Sequence, residues 1–176
     1  IADRTETRWG KFRPYLLWFA IPFGVLGVMT FTTPDFSPTG KLIYAYVTYT
    51  LLMMAYTVVN VPYSALMGVM TPNSHERTVL SSFRFFAAFL ATMLVQYSAL
   101  RMVGWFGQGD AAVGWRWAMT VLSSLAVVLL FITFATTKER VHPPKGQRTP
   151  LKQDLADLFT NLPWVLIGSA TVFQLI

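Results

Sequence analysis

The sequence contains no cysteine among its 176 residues. Disulfide frameworks, thiolate nucleophiles and cysteine-based metal sites are therefore excluded. Charge is scarce as well: 12% of the residues are charged, where a soluble domain carries about 25%. Acids are the rarer sign, 8 against 14 basic residues, and the histidines are two, His75 and His142. All the acids (Asp3, Glu6, Asp35, Glu76, Asp110, Glu139, Asp154 and Asp157) read as loop residues, so no carboxylate pair sits inside an apolar run. No HExxH, GxSxG or phosphate-binding glycine loop is found. An enzyme is not expected, and neither is a resident metal or organic cofactor.

What is abundant is apolar surface, 54% of the chain. A soluble fold of this size has too little interior to hide it, so lipid is the expected solvent. The net charge of +6 raises the question of nucleic acid. The basic residues, however, fall in short loops between apolar runs rather than along one face, which is a membrane pattern and not a nucleic-acid footprint. The chain opens at Ile1 inside a charged stretch and closes at Ile176 inside an apolar one. It reads as an internal piece of a longer protein, with no signal peptide in view.

A bilayer core needs about 20 mostly apolar residues per helix. Five segments approach that length: 15–32, 42–70, 79–100, 117–137, and a fifth from 163 onward. The loops 1–14, 71–78 and 138–162 carry Arg4, Arg8, Lys11, Arg13, Arg77, Lys138, Arg140, Lys145, Arg148 and Lys152. The alternate loops carry Lys41, Arg101 and Arg116. By the positive-inside rule the first set faces the cytoplasm. Trp9, Trp18, Trp105, Trp115, Trp117 and Trp164 gather near segment ends, where indoles favour the interface. In the longest loop, Pro143, Pro144, Gly146 and Pro150 imply an extended first half. Leu151, Leu155, Leu158 and Phe159 then line one face of a short amphipathic helix, lying on the membrane or packed on the protein itself.

An ionisable residue inside a span is costly and is a functional candidate for that reason. Arg84 is the clear case, about one and a half turns into the third segment. It either snorkels to the interface or donates its N–H groups to a solute in a wet cavity. In the second segment Tyr49, Met53, Tyr56, Asn60 and Tyr63 recur at helical spacing and share a face. Tyrosine can stack on a sugar and hydrogen-bond it, and Asn60 offers both donors and an acceptor. The same face could equally bond a neighbouring helix. Pro62 and Pro22 deprive the carbonyls of Val58 and Trp18 of their helical partners.

Ala2-Asp3-Arg4-Thr5-Glu6-Thr7-Arg8-Trp9-Gly10-Lys11-Phe12-Arg13-Pro14 resembles the cytoplasmic loop between helices 2 and 3 of the glycoside–pentoside–hexuronide cation symporters. These form the melibiose-permease-like branch of the major facilitator superfamily. Asn60-Val61-Pro62-Tyr63-Ser64-Ala65-Leu66, Glu76-Arg77-Thr78, Ser82-Phe83-Arg84, Lys138-Glu139-Arg140-Val141 and Asn161-Leu162-Pro163-Trp164 agree with the same family in the same order. The resemblance implies an all-α membrane protein, a major-facilitator-type bundle of which this chain covers helices 3–7 of twelve. Residues 1–137 would belong to the N-terminal six-helix bundle, 138–162 to the central cytoplasmic loop, and 163–176 to the start of helix 7.

The resemblance further implies that Tyr56, Asn60 and Arg84 contact sugar, that Thr57 belongs to a cation site, and that Asp3 and Arg4 gate the cytoplasmic side. Two positions depart from the family: Asn60 stands where an aspartate is usual, and Ser64 where a tryptophan would stack on the sugar. A neutral Asn60 supplies no charge to a cation. The implied activity is symport of a sugar or glycoside with Na+ or H+, by alternating access in the plasma (inner) membrane. The implied partners are the solute, the lipid bilayer and the remaining helices of the same transporter. A transporter-like sensor or scaffold that moves nothing is the alternative, and a passive channel a third.

Overall fold

The computed structural model describes residues 7–141 and 160–175. Five helices account for nearly all of them: α1 (Arg13–Thr30), α2 (Pro38–Met70), α3 (Ser74–Gly107), α4 (Ala111–Thr136) and α5 (Leu162–Leu175). No strand occurs among the described residues; the one β-bridge joins Thr7 and Gly10. The first four helices are long and apolar enough to cross a membrane. The chain divides into two units, 1–142 and 143–176. In the second, α5 opens with the Trp164 amide donating to the Asn161 side chain at 3.3 Å. The amphipathic stretch 151–159 lies outside the described residues.

α3 and α4 begin earlier than hydropathy alone indicates, because a side chain caps each of them ahead of its apolar run. The Asn73 side chain accepts from the His75 amide at 2.9 Å and opens α3 five residues ahead of the expected start. His75 and Glu76 are thus in a helical first turn, not in a loop, and Thr71 Oγ1 donates to Glu76 Oε2 at 2.5 Å. Asp110 opens α4 by accepting from the amides of Ala112 (2.8 Å) and Val113 (3.2 Å). Arg101, Trp115 and Arg116 are accordingly helical as well.

α1 is the hub of the first unit, packing on both α2 and α4, while α3 rests mainly on α4. Small residues set the α1–α4 crossing. Leu16, Ala20, Gly24 and Gly27 are the buried face of α1, and Gly114, Ala118 and Ser123 that of α4. A Cβ at Gly27 would stand 2.7 Å from Ser123 Oγ, and one at Gly24 would stand 2.5 Å from Val127 Cγ2. Leu16, Val59 and Leu66 form the core between α1 and α2. Backbones approach closely where side chains are small, which is how helices gain packing contacts in lipid.

One end of this unit is stitched by the segment after α4. The Glu139 carboxylate accepts from the backbone amides of Lys11 (2.9 Å), Phe12 (2.8 Å) and Arg13 (3.1 Å). It therefore occupies the N-terminus of α1, where amides lack helical partners and the dipole favours an anion. The amides of Arg140 and Val141 both donate to the Val69 carbonyl at 2.9 Å. Arg13 donates to the carbonyls of Phe134 (2.5 Å) and Trp9 (3.3 Å), its guanidinium 4.8 Å from the Phe134 ring centre. The start of α1 and the ends of α2 and α4 thus meet at the end that bears the basic loops.

Candidate functional site

With α3 starting at Ser74, Arg84 lies ten residues into its helix, nearly three turns instead of one and a half. Its side chain does not run to the helix end. Nη2 donates to Ser64 Oγ on α2 at 3.0 Å, and the guanidinium carbon sits 4.8 Å from the Tyr63 ring centre. One turn nearer the basic end, Ser81 Oγ donates to Met67 Sδ at 3.4 Å. The pairs Ser64–Arg84 and Met67–Ser81 step in opposite directions along the two helices, as an antiparallel seam requires. Few other contacts join α2 to α3, so Arg84 spans a gap between them.

That gap is a cavity of about 170 Å³, lined by Tyr63, Leu66, Met67, Met70, Leu80, Arg84, Thr133 and Thr137. The hydroxyls of Thr133 and Thr137 donate to the carbonyls of Leu129 (2.8 Å) and Thr133 (2.6 Å) in their own helix. No acid lines the space. Arg84 is its one charge, and the Ser64 bond uses only one of the guanidinium's several donors. A half-buried cation in apolar walls with donors to spare can donate to an oxygen-rich group.

The stripe on α2 is partly assembled around it. The buried face of α2 is Thr48, Ala55, Val59, Pro62 and Leu66. Tyr49, Met53, Tyr56 and Asn60 lie about a third of a turn round from that face; Tyr49, Met53 and Tyr56 are exposed, and Asn60 is half-buried. Asn60 and Ser64 are four residues apart, so Arg84 reaches the turn next to Asn60. The Asn60 side chain makes no hydrogen bond among the described residues. Tyr56 leans on Phe23 of α1 with ring centres 6.5 Å apart. Thr57 is exposed, its hydroxyl donating to the Met53 carbonyl at 2.9 Å. No cluster of three His, Asp or Glu occurs among the described residues. Asp3 and Arg4 lie outside them.

Two residues of this site were not singled out as ligands by the sequence: Ser64 and Tyr63. Ser64 stood only as a departure from a family pattern and Tyr63 only as part of the stripe. Helical spacing would have found Ser64, four residues after Asn60, but not its partner on another helix.

Over residues 1–176 the chain matches the family model for MFS/sugar transport protein. It belongs to that family. Two of the similar proteins are from Escherichia coli (strain K12). The inner membrane symporter YicJ is 43% identical over 176 residues, all of this chain and 38% of the relative. YagG, whose name points to glycoside/cation symport, is 49% identical over 164 residues, 93% of this chain and 36% of the relative. The isoprimeverose transporter of Lactiplantibacillus pentosus is 42% identical over 168 residues, 94% of this chain and 35% of the relative. The chain thus spans little more than a third of the curated relatives it matches.

As a member of the MFS/sugar transport family the chain is an all-α, multi-pass plasma-membrane protein with a major-facilitator-type bundle, and the family is one of transporters. The resemblance read from the loop 2–14 and from the stretches around Asn60 and Arg84 is the family that the match shows.

Proposed function

We propose that the protein of which this chain is part is a secondary active transporter moving a sugar or glycoside together with Na+ or H+ by alternating access. The observation that carries this reading is Arg84: an intramembrane guanidinium, facing no acid, that keeps free donors beside Asn60 and an apolar cavity. Sugar hydroxyls or a sugar carboxylate satisfy such donors, and binding them in low dielectric gives orientation as well as affinity. Tyr56 stacks on the ring of the solute and Asn60 bonds its hydroxyls. Thr57 supplies an oxygen to the cation. Asp3 and Arg4 hold the cytoplasmic gate, pairing with the opposite bundle when the site is closed inward.

In this reading α1 to α4 are helices 3 to 6 of the N-terminal bundle, 138–162 is the central loop, and α5 opens helix 7. The solute site then lies between two bundles that rock against each other. The relatives support the substrate class: one is named for isoprimeverose and another for glycoside/cation symport. Accumulation of a labelled glycoside by cells expressing the full-length protein tests the proposal. Uptake should collapse when the ion gradient is discharged, and Arg84→Ala should lower it at least a hundredfold, about 3 kcal/mol for a charge-assisted bond left without its donor. Gradient-independent equilibration would instead identify a passive channel, and no flux at all a sensor.

A further inference from the structure

The contacts of Arg84 assign a role to a residue that no family pattern supplies. We propose that Ser64 is a positioning residue of the solute site, its hydroxyl and the Tyr63 ring together fixing the guanidinium of Arg84 before the solute arrives. The inference rests on the reading that Arg84 contacts the solute.

Three observations carry it. First, Ser64 Oγ, 3.0 Å from Nη2, is the one hydrogen-bond partner of the Arg84 side chain among the described residues. Second, on its own helix the hydroxyl one turn away, that of Ser81, is turned to the Arg77 carbonyl and Met67 Sδ. Beside Arg84 in sequence, Phe83, Phe85 and Phe86 are exposed aromatic rings that offer no acceptor oxygen. Third, the Tyr63 ring lies against the same guanidinium at 4.8 Å, so adjacent residues of α2 hold it by an edge donor and by a face. Arginine is a long, rotamer-rich side chain, and in lipid it reaches for the nearest polar surface when nothing holds it. Ser64 and Tyr63 remove that freedom in advance, so the solute meets an arginine already in place. The hydroxyl suits the task because it is small and can accept from Arg84 while its own proton goes elsewhere. A bulky side chain at 64 would instead push the guanidinium off Tyr63.

The test uses the full-length transporter in proteoliposomes, with a panel of p-nitrophenyl glycosides (xyloside, glucoside and glucuronide) as probes and the amount of monodisperse protein measured for every variant. Ser64→Ala should raise KM for an accumulated probe about tenfold with Vmax changed less than twofold, the loss of one charge-assisted bond. Ser64→Thr, which keeps the acceptor, should return KM to within about twofold of the parent. A fall in Vmax at unchanged KM, or a Ser64→Thr variant no better than Ser64→Ala, would show a structural role and overturn the proposal. A normal KM in Ser64→Ala beside an inactive Arg84→Ala would overturn it too, leaving the solute role of Arg84 intact. Full transport by Arg84→Ala would remove both.

Discussion

Glu139 gathers three hydrogen bonds from a segment more than a hundred residues away, and the residue opposite it has to be glycine. Gly10 has φ +107°, a region L side chains rarely enter, and a Cβ built there would fall onto the Glu139 carboxylate. The carboxylate thus fills the space a side chain would take, and in return it satisfies the orphan amides of Lys11, Phe12 and Arg13. Glu139→Ala should cost about 2 kcal/mol, since it strips acceptors from half-buried amides. Glu139→Gln should cost about half as much, because Phe12 and Arg13 share Oε1 and a single amide oxygen can keep both. Gly10→Ala should cost about 1 kcal/mol more than Glu139→Ala, because it displaces the same carboxylate and also strains the backbone. The double variant should fall short of the sum, because both changes break one contact. Thermal unfolding midpoints of the detergent-solubilised full-length protein measure all four, and strict additivity would refute the coupling. Glu139 stood in the sequence only as a loop acid and as part of the run 138–141. Nothing in that run announces a partner more than a hundred residues earlier.

At the level of the helices, what decides the packing is where side chains are missing. Gly24 and Gly27 of α1 meet Val127 and Ser123 of α4 with no room for a Cβ. Gly24→Leu or Gly27→Leu should therefore separate α1 from α4 and sharply reduce the yield of folded protein, whereas Gly68→Ala, with open space around it, should be neutral. Fluorescence-detected size-exclusion profiles of tagged full-length variants distinguish these outcomes. At the start of α4, Asp110→Ala removes an acceptor shared by two amides and should cost about 1 kcal/mol. The spans themselves were legible because apolar length is a one-dimensional property that lipid enforces. Their starts were not, since α3 opens with the polar turn Ser74–Arg77 and α4 opens six residues ahead of the expected apolar run, each fixed by a capping side chain. Asn73 and Asp110 are the kind of residue that marks such a start, so the signal was present and hydropathy masked it. The same division holds for the candidate site. The α2 stripe follows from periodicity, but the bond from Arg84 to Ser64 joins two helices and leaves no periodic trace.

For the molecule as a whole, the geometry ties sidedness to the stitched end. The start of α1, the end of α2, the start of α3 and the end of α4 lie together: Glu139 binds the first, the Arg140 amide binds Val69 of the second, and Arg77 follows the short turn into the third. The α1–α2 and α3–α4 connections fall at the opposite end, with Lys41 in the first turn of α2 just after the one and Asp110 within the other. The basic excess of the stitched end assigns it to the cytoplasm. Because the chain has no cysteine, single cysteines introduced here report without background from its own residues. In full-length protein with any cysteines elsewhere replaced by serine, Lys41→Cys should react with a membrane-impermeant maleimide added to intact spheroplasts. Arg77→Cys and Lys138→Cys should react only after permeabilisation. Labelling of Arg77→Cys and Lys41→Cys from the same side would break the alternation on which the topology stands. The reverse pattern, with Arg77→Cys and Lys138→Cys exposed outside, would keep the bundle but invert it, and would place the end stitched by Glu139 away from the cytoplasm.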